Sequence, residues 1–129
     1  MPFNWREFLI IAHELRNDQR EGAQRTCLGR TYYYIYNLGL DKARRMKFIE
    51  KLPGLHQKLW SWCQNQTDRD IKTLGTTGSR MHSRRIDADY KDAFPTNLAL
   101  EVERQLKAAL EFEAIVATKD GRTPPAPLP

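Results

Sequence analysis

One short stretch of the chain concentrates side chains that could bind a phosphate or a nucleotide. Between Cys27 and Asn37 the sequence reads Cys-Leu-Gly-Arg-Thr-Tyr-Tyr-Tyr-Ile-Tyr-Asn, with four tyrosines and one arginine. The guanidinium of Arg30 could hold a phosphate, and tyrosine rings could contact bases. The alternative is a structural helix whose aromatic rings fill the core while the hydroxyls reach its rim. A helix here is predicted to place four polar side chains on one face: Arg30, Tyr33, Tyr34 and Asn37.

A second polar stretch, Arg85-Ile86-Asp87-Ala88-Asp89-Tyr90, lies nearer the end of the chain. Two aspartates two residues apart do not face the same side of a helix, so Asp87 and Asp89 are not predicted to form a metal or acid/base pair. We therefore interpret the stretch as structural, and the alternative is a direct functional contact. The preceding segment 79–85 is basic and contains His82, and it predicts either a nucleic-acid-binding surface or a solvated charged face.

The two remaining histidines have different settings. Arg6 and His13 would share one face of a first helix, which we interpret as a mixed charged surface. His56 either packs in the fold or, if folding brings it near Arg30 or Arg85, could exchange a proton. The sequence has no glycine loop of the phosphate-binding type, no zinc cluster and no serine/histidine/aspartate arrangement, so neither a metal nor a cofactor is predicted.

Five helical segments would position these residues, because no stretch shows the two-residue alternation of a half-buried strand. The segments are predicted at 4–17, about 23–48, 55–64, about 70–90, and from just after Pro95 to about 118. Asn4 is expected to cap the first, and Thr67 or Asp68 the fourth. We expect a loop or kink between Gly75 and Ser79, because these residues are poor helix formers.

The composition fits one small domain. With 129 residues, 40% hydrophobic and 29% charged, residues 1–118 are predicted to form one helical domain. Residues 119–129 contain four of the seven prolines and are predicted to be a flexible or polyproline-like tail. No apolar run suggests a membrane span or a signal peptide, so we predict a cytoplasmic protein with no membrane partner. Cys27 and Cys63 lack metal-ligand spacing and are expected to be reduced, packed thiols.

The two polar stretches resemble motifs of the HEPN (higher eukaryotes and prokaryotes nucleotide-binding) family. Arg30, Tyr32 and Tyr33 match the arginine and paired tyrosines of the family's "S-R-x-Y-Y-x-x-x-H" helix, and residues 85–90 match its "R-x-x-A-D-Y" signature. His56 resembles a histidine that often opens the intervening helix. The resemblance covers roughly residues 3 to 117. It implies an all-α bundle of four to five helices and frequent homodimers. It also implies that the arginine, aspartate and tyrosine (Tyr90) of the second motif join helices through charge-assisted hydrogen bonds, with Asp89 holding Arg30 or Arg85.

Active members of the family are metal-independent ribonucleases that use an arginine and a histidine. The position that matches the motif histidine is Asn37, whose amide cannot exchange a proton near neutral pH. The resemblance therefore predicts a catalytically degenerate module that binds RNA or a protein partner, such as a nucleotidyltransferase or another product of a defence or toxin–antitoxin operon. The alternative is an active ribonuclease toxin in which Arg30 stabilises the phosphate and a tyrosine, His56 or another group replaces the histidine.

The candidate residues fall into three sets. The candidate catalytic positions are Arg30, Asn37 and His56. The candidate nucleic-acid or nucleotide contacts, which the net charge of +5 also favours, are Arg25, Arg30, Tyr33, Tyr34, Arg84 and Arg85. The candidate structural residues are Tyr32, Asp89 and Tyr90.

Overall fold

A computed structural model describes residues 2–129 and confirms the predicted all-α bundle. None of its helices is long and apolar enough to cross a membrane, and residues 2–129 contain no strand. The five helices are α1 (Arg6–Leu15), α2 (Glu21–Arg45), α3 (Leu55–Gln64), α4 (Arg69–Tyr90) and α5 (Leu98–Lys119).

The ends of the helices follow from local side-chain chemistry. The Asn4 side chain accepts a hydrogen bond from the amide of Arg6 (3.1 Å), just ahead of α1. Of the two predicted caps for α4, Asp68 is the one used: its carboxylate accepts from the amides of Asp70 (2.8 Å) and Ile71 (3.2 Å), the second and third residues of the helix. Helix α2 ends three residues earlier than predicted, because Lys47 has a left-handed backbone (φ 76°) that α-helical geometry cannot include.

The predicted loop or kink in the fourth segment is wrong, since α4 is continuous through residues 75–79. Its glycines lie where α3 approaches most closely. A Cβ atom on Gly78 would lie 2.3 Å from the Trp60 ring, and one on Gly75 would lie 2.8 Å from Cys63. Burial of the large indole against α4 therefore offsets the roughly 1 kcal/mol per residue by which glycine disfavours a helix.

Helix α2 is the centre of the bundle and packs against α1, α4 and α5, while α3 packs mainly on α4. Trp60 lies at this junction with 2% of its surface exposed, and its indole N–H donates to the Tyr32 hydroxyl at 3.0 Å. Cys27 and Cys63 are buried and unpaired, as predicted. Burial raises the pKa of the Cys27 thiol to about 11 and that of Cys63 to about 12, so both are poor nucleophiles.

The proline-rich tail is outside any helix, as predicted, but it lies back along α1. The carbonyl of Ala126 accepts a hydrogen bond from Arg6 Nη2 at 2.8 Å. Leu128 is half-buried and packs against the core. The tail thus has defined contacts with the helical bundle.

Candidate functional site

The tyrosines of α2 point to different neighbours, because successive residues on a helix are about 100° apart. Tyr32 faces α3 and α4, and Tyr33 contacts Arg85 on α4. Tyr34 lies on the other side, where its hydroxyl donates to the buried carboxylate of Glu113 at 2.5 Å. The expectation that Tyr34 shares a binding face with Arg30 is therefore wrong: its phenol is committed to the core.

A stack of aromatic rings, which we call the ring cluster, joins α2, α3 and α4. His56 lies between Tyr36, at 3.9 Å between ring centroids, and His82, at 4.9 Å. The Tyr32 hydroxyl is 2.6 Å from His56 Nδ1. Because that hydroxyl also accepts from Trp60, the arrangement that uses every proton has Tyr32 donating to Nδ1, with His56 protonated on Nε2.

Both histidines of the ring cluster are uncharged near neutral pH. Burial, together with the neighbouring His82 and Arg85, lowers the pKa of His56 to about 4. Burial and Arg85 also lower the pKa of His82. A histidine with so low a pKa holds little of the acid form that general acid catalysis near pH 7 requires.

Beside the ring cluster lies a cavity of about 340 Å³ that we call the arginine pocket, defined by Arg25, Arg30, Tyr33, Arg85 and Asp89. Its three arginines and one aspartate leave it with an excess of positive charge. Four of the residues predicted to contact nucleic acid therefore meet at one place. The pocket lies between α2 and α4, which carry all five residues.

Arg30 has the guanidinium best suited to bind a ligand in this pocket. It lies over the ring of Phe8, at 4.7 Å from the centroid, and near Tyr33, at 5.6 Å. Within residues 2–129, no side chain or carbonyl forms a hydrogen bond or an ion pair with it. The planar cation is thus positioned by two aromatic rings while its N–H donors remain free.

Arg85 is the second cation of the arginine pocket, and it is held from two sides. Its Nη2 donates to the Tyr33 hydroxyl at 2.6 Å, and its Nε lies 2.9 Å from the carboxylate of Asp89. The second contact is an ion pair without hydrogen-bond alignment, so the buried Nε has no hydrogen-bond partner. Asp89 therefore faces Arg85, as predicted, but the two residues lie four apart on the same helix and form no hydrogen bond, so the expected link between helices is wrong. Tyr90 is 75% exposed and does not take the structural role predicted for it.

Two other predicted contact residues are used elsewhere. Arg25 donates to the carbonyls that end α4, among them Ala88 (3.0 Å) and Asp92 (2.8 Å), and therefore ties α2 to α4. Arg84 faces α5 instead of α2. It forms an ion pair with Asp87 of its own helix (3.2 Å) and approaches Glu101 of α5. Arg84 consequently lies on a different side of α4 from the arginine pocket.

The three candidate catalytic positions lie in separate surroundings. Arg30 lines the arginine pocket, and His56 belongs to the ring cluster. The Asn37 amide donates to the Tyr33 carbonyl at 2.8 Å, and Asn37 lines cavities with Trp5 and Asp41. Of the residues that line the pocket, Tyr33 lies near His56, at 6.3 Å between ring centroids, and so does Arg85, whose charge helps to lower the pKa of His56.

Sequence reasoning missed the part played by His82, which was assigned to a basic surface but stacks within the ring cluster. His82 is three residues after Ser79 and four after Gly78, so on a continuous helix it lies on the side of α4 that faces α3. The spacing could have shown this, but the expected kink between Gly75 and Ser79 would break the helix there. Among residues 2–129 no group of histidine, cysteine, aspartate and glutamate side chains could hold a metal ion. Comparisons with protein-family models, curated proteins and solved structures found no match to this chain.

Proposed function

We propose that the chain is a HEPN-like module that binds RNA through the arginine pocket without cleaving it. The observation that carries this proposal is the free guanidinium of Arg30, which lies over Phe8 and Tyr33 and lines a positively charged cavity. Pre-positioning matters because an arginine that is already ordered loses less side-chain entropy when a ligand binds. The net charge of +5 would favour encounter with a polyanion.

The chemistry of the pocket suits a phosphodiester. A guanidinium presents paired N–H donors that match two phosphate oxygens, and Arg85, whose guanidinium carbon lies 4.9 Å from the Tyr33 ring centroid, supplies a second cation. Both guanidinium groups lie near the Tyr33 ring, which offers an aromatic side chain to a nucleotide base. One phosphate with its attached nucleoside is the unit that we expect this pocket to bind.

Two features argue against cleavage. Asn37 cannot titrate and lies among residues of α1 and α2 outside the arginine pocket. His56, the candidate substitute, has a pKa of about 4 and is hydrogen-bonded to Tyr32. Attack by the 2′-hydroxyl of RNA needs a group that exchanges protons near neutral pH, and neither residue fits that role.

Binding is tested by fluorescence anisotropy with a labelled single-stranded RNA at several salt concentrations. We expect Arg30→Glu to weaken binding by about tenfold or more and to lower the salt slope by about 1, because one phosphate contact is lost. The matched control is Arg69→Glu, which makes the same change of charge at an exposed position at the other end of α4. Equal losses in both variants would show that only the net charge of the protein attracts RNA.

A second candidate function is an active metal-independent ribonuclease in which His56 acts as a base. It is favoured by one observation: His56 contacts the Tyr33 ring, and the Tyr33 hydroxyl is bonded to Arg85. The test is incubation of labelled total RNA with the protein in EDTA, beside Arg30→Ala and His56→Ala. Cleavage that persists in EDTA and is lost in Arg30→Ala would favour this activity over binding alone.

The family resemblance also implies a biological setting, which we include in this proposal. A HEPN-like RNA-binding module would act in a defence or toxin–antitoxin system, as a homodimer or with a nucleotidyltransferase or another operon-encoded partner. Sedimentation of the purified chain alone, and then with the product of the adjacent gene, would test these assemblies. A monomer that forms no complex would remove them from the proposal and leave RNA binding to be judged by anisotropy.

A further inference from the structure

Two side chains of α1 bind backbone carbonyls of the proline-rich tail. Arg6 Nη2 donates to the Ala126 carbonyl at 2.8 Å, and His13 Nε2 lies 2.9 Å from the carbonyl oxygen of Pro129. Since a carbonyl can only accept, the second contact requires the proton of His13 on Nε2. These are the two residues whose spacing suggested only a mixed charged surface from the sequence.

The spacing of the two donors matches the repeat of an extended proline-rich chain. Positions 6 and 13 lie nearly above each other on a helix, about 10.5 Å apart. A polyproline-type segment has three residues per turn and rises about 3.1 Å per residue, so carbonyls three residues apart point the same way at about 9 Å. Such a segment has no internal hydrogen bonds, and its carbonyls therefore need external donors.

A leucine between the two bound carbonyls adds an apolar contact. Leu128 is half-buried and lines a cavity of about 320 Å³ together with Leu106 and Leu110 of α5 and His13 of α1. The groove between α1 and α5 therefore combines a pair of donors with an apolar cavity. In the recognition of extended peptides, hydrogen bonds to the peptide backbone supply affinity, and pockets for side chains supply specificity.

We propose that the groove between α1 and α5 is a binding site for an extended proline-rich peptide segment that carries a leucine, and that residues 124–129 occupy it in cis. The tail supplies the ligand sequence, Pro-Pro-Ala-Pro-Leu-Pro. A segment from another molecule must displace the tail. Because only a few residues separate Lys119, where α5 ends, from Pro124, the effective concentration of the tail is in the millimolar range or above.

The test uses the full chain with the tail displaced by Leu128→Asp, which puts a charge in the apolar cavity. The probe is a fluorescent, amidated peptide with the sequence of residues 121–129, followed by polarisation. We expect it to bind Leu128→Asp at least tenfold more tightly than the parent chain, in which the tail competes. Adding His13→Ala should weaken that binding about fivefold, the value of one hydrogen bond.

Two controls separate docking from other effects. A peptide with aspartate in place of its leucine should not bind, and Leu128→Asp should keep the helical circular dichroism of the parent. Independently, the amides of Ala126 and Leu128 in the parent should show ¹⁵N heteronuclear NOE values close to those of α1. Values typical of a disordered chain, absence of peptide binding to Leu128→Asp, or equal binding to both proteins would each overturn the proposal.

Discussion

The substitution Gly78→Ala tests whether glycines in α4 set the approach of α3. The added Cβ would lie 2.3 to 2.5 Å from three atoms of the Trp60 indole, which is 2% exposed and cannot swing away. Overpacking of this kind costs about 1–3 kcal/mol. Displacement of the indole would also break its hydrogen bond to Tyr32, for about 1 kcal/mol more. Alanine regains about 1 kcal/mol of helix propensity, so the net loss of stability is about 1–3 kcal/mol.

The assay is urea unfolding followed by circular dichroism at 222 nm, with Gly29→Ala as the control. Gly29 is also inside a helix, but a Cβ there meets nothing within 4 Å. That variant should gain about 0.5–1 kcal/mol of stability from propensity alone. Gly78→Ala should also melt about 8 °C lower than the parent. If Gly78→Ala were as stable as the parent, the close packing of Trp60 on α4 would be refuted.

Three further predictions concern buried polar groups. The folded-state pKa of His56, about 4, lies below its usual 6.5, so the unfolded chain takes up the proton first as the pH falls. The free energy of unfolding should therefore fall by about 1–2 kcal/mol between pH 6.5 and pH 4. In urea titrations, His56→Gln should make the free energy of unfolding less dependent on pH over this range. Asp120→Asn should cost about 2 kcal/mol in the same assay, because its carboxylate accepts from three cationic side chains, whereas Asp41→Asn at an exposed pair should change stability by under about 0.5 kcal/mol. Tyr34→Phe should lower the melting temperature through a loss of about 1–3 kcal/mol, because it removes the hydroxyl that donates to the buried Glu113.

The helices themselves could be predicted from the sequence because their signals are local. Hydrophobic periodicity, the polar interruptions near residue 18 and residue 66, and the Pro-Gly pair at 53–54 located all five elements. The segment 75–79 could not be predicted in the same way. Its glycines look like helix breakers when only neighbours along the chain are considered, and their role depends on Trp60, which belongs to another helix.

The part of the candidate site that lies on one face of α2 could be predicted from the sequence. Arg30 and Tyr33 are three residues apart on α2, and the structure brings Arg85 and Asp89 of α4 to the same cavity. Tyr34 could not be excluded from the sequence, because its burial depends on Glu113, seventy-nine residues away. The same limit hid the contact of Arg6 and His13 with the tail, since neither residue carries any sign of a partner at positions 126 and 129.

The arrangement of cations and histidines bears on the choice between binding and cleavage. Protonation of His56 would place a positive charge against His82 and near Arg85, so the ring cluster resists the charge change that acid/base catalysis needs. Arg30 needs no such change, because its guanidinium is always charged and its donors are already free. A ligand phosphate would reduce the repulsion among these cations and thereby stabilise the folded chain. The geometry that disfavours proton transfer therefore also favours a bound anion, which supports the binding function over the nuclease.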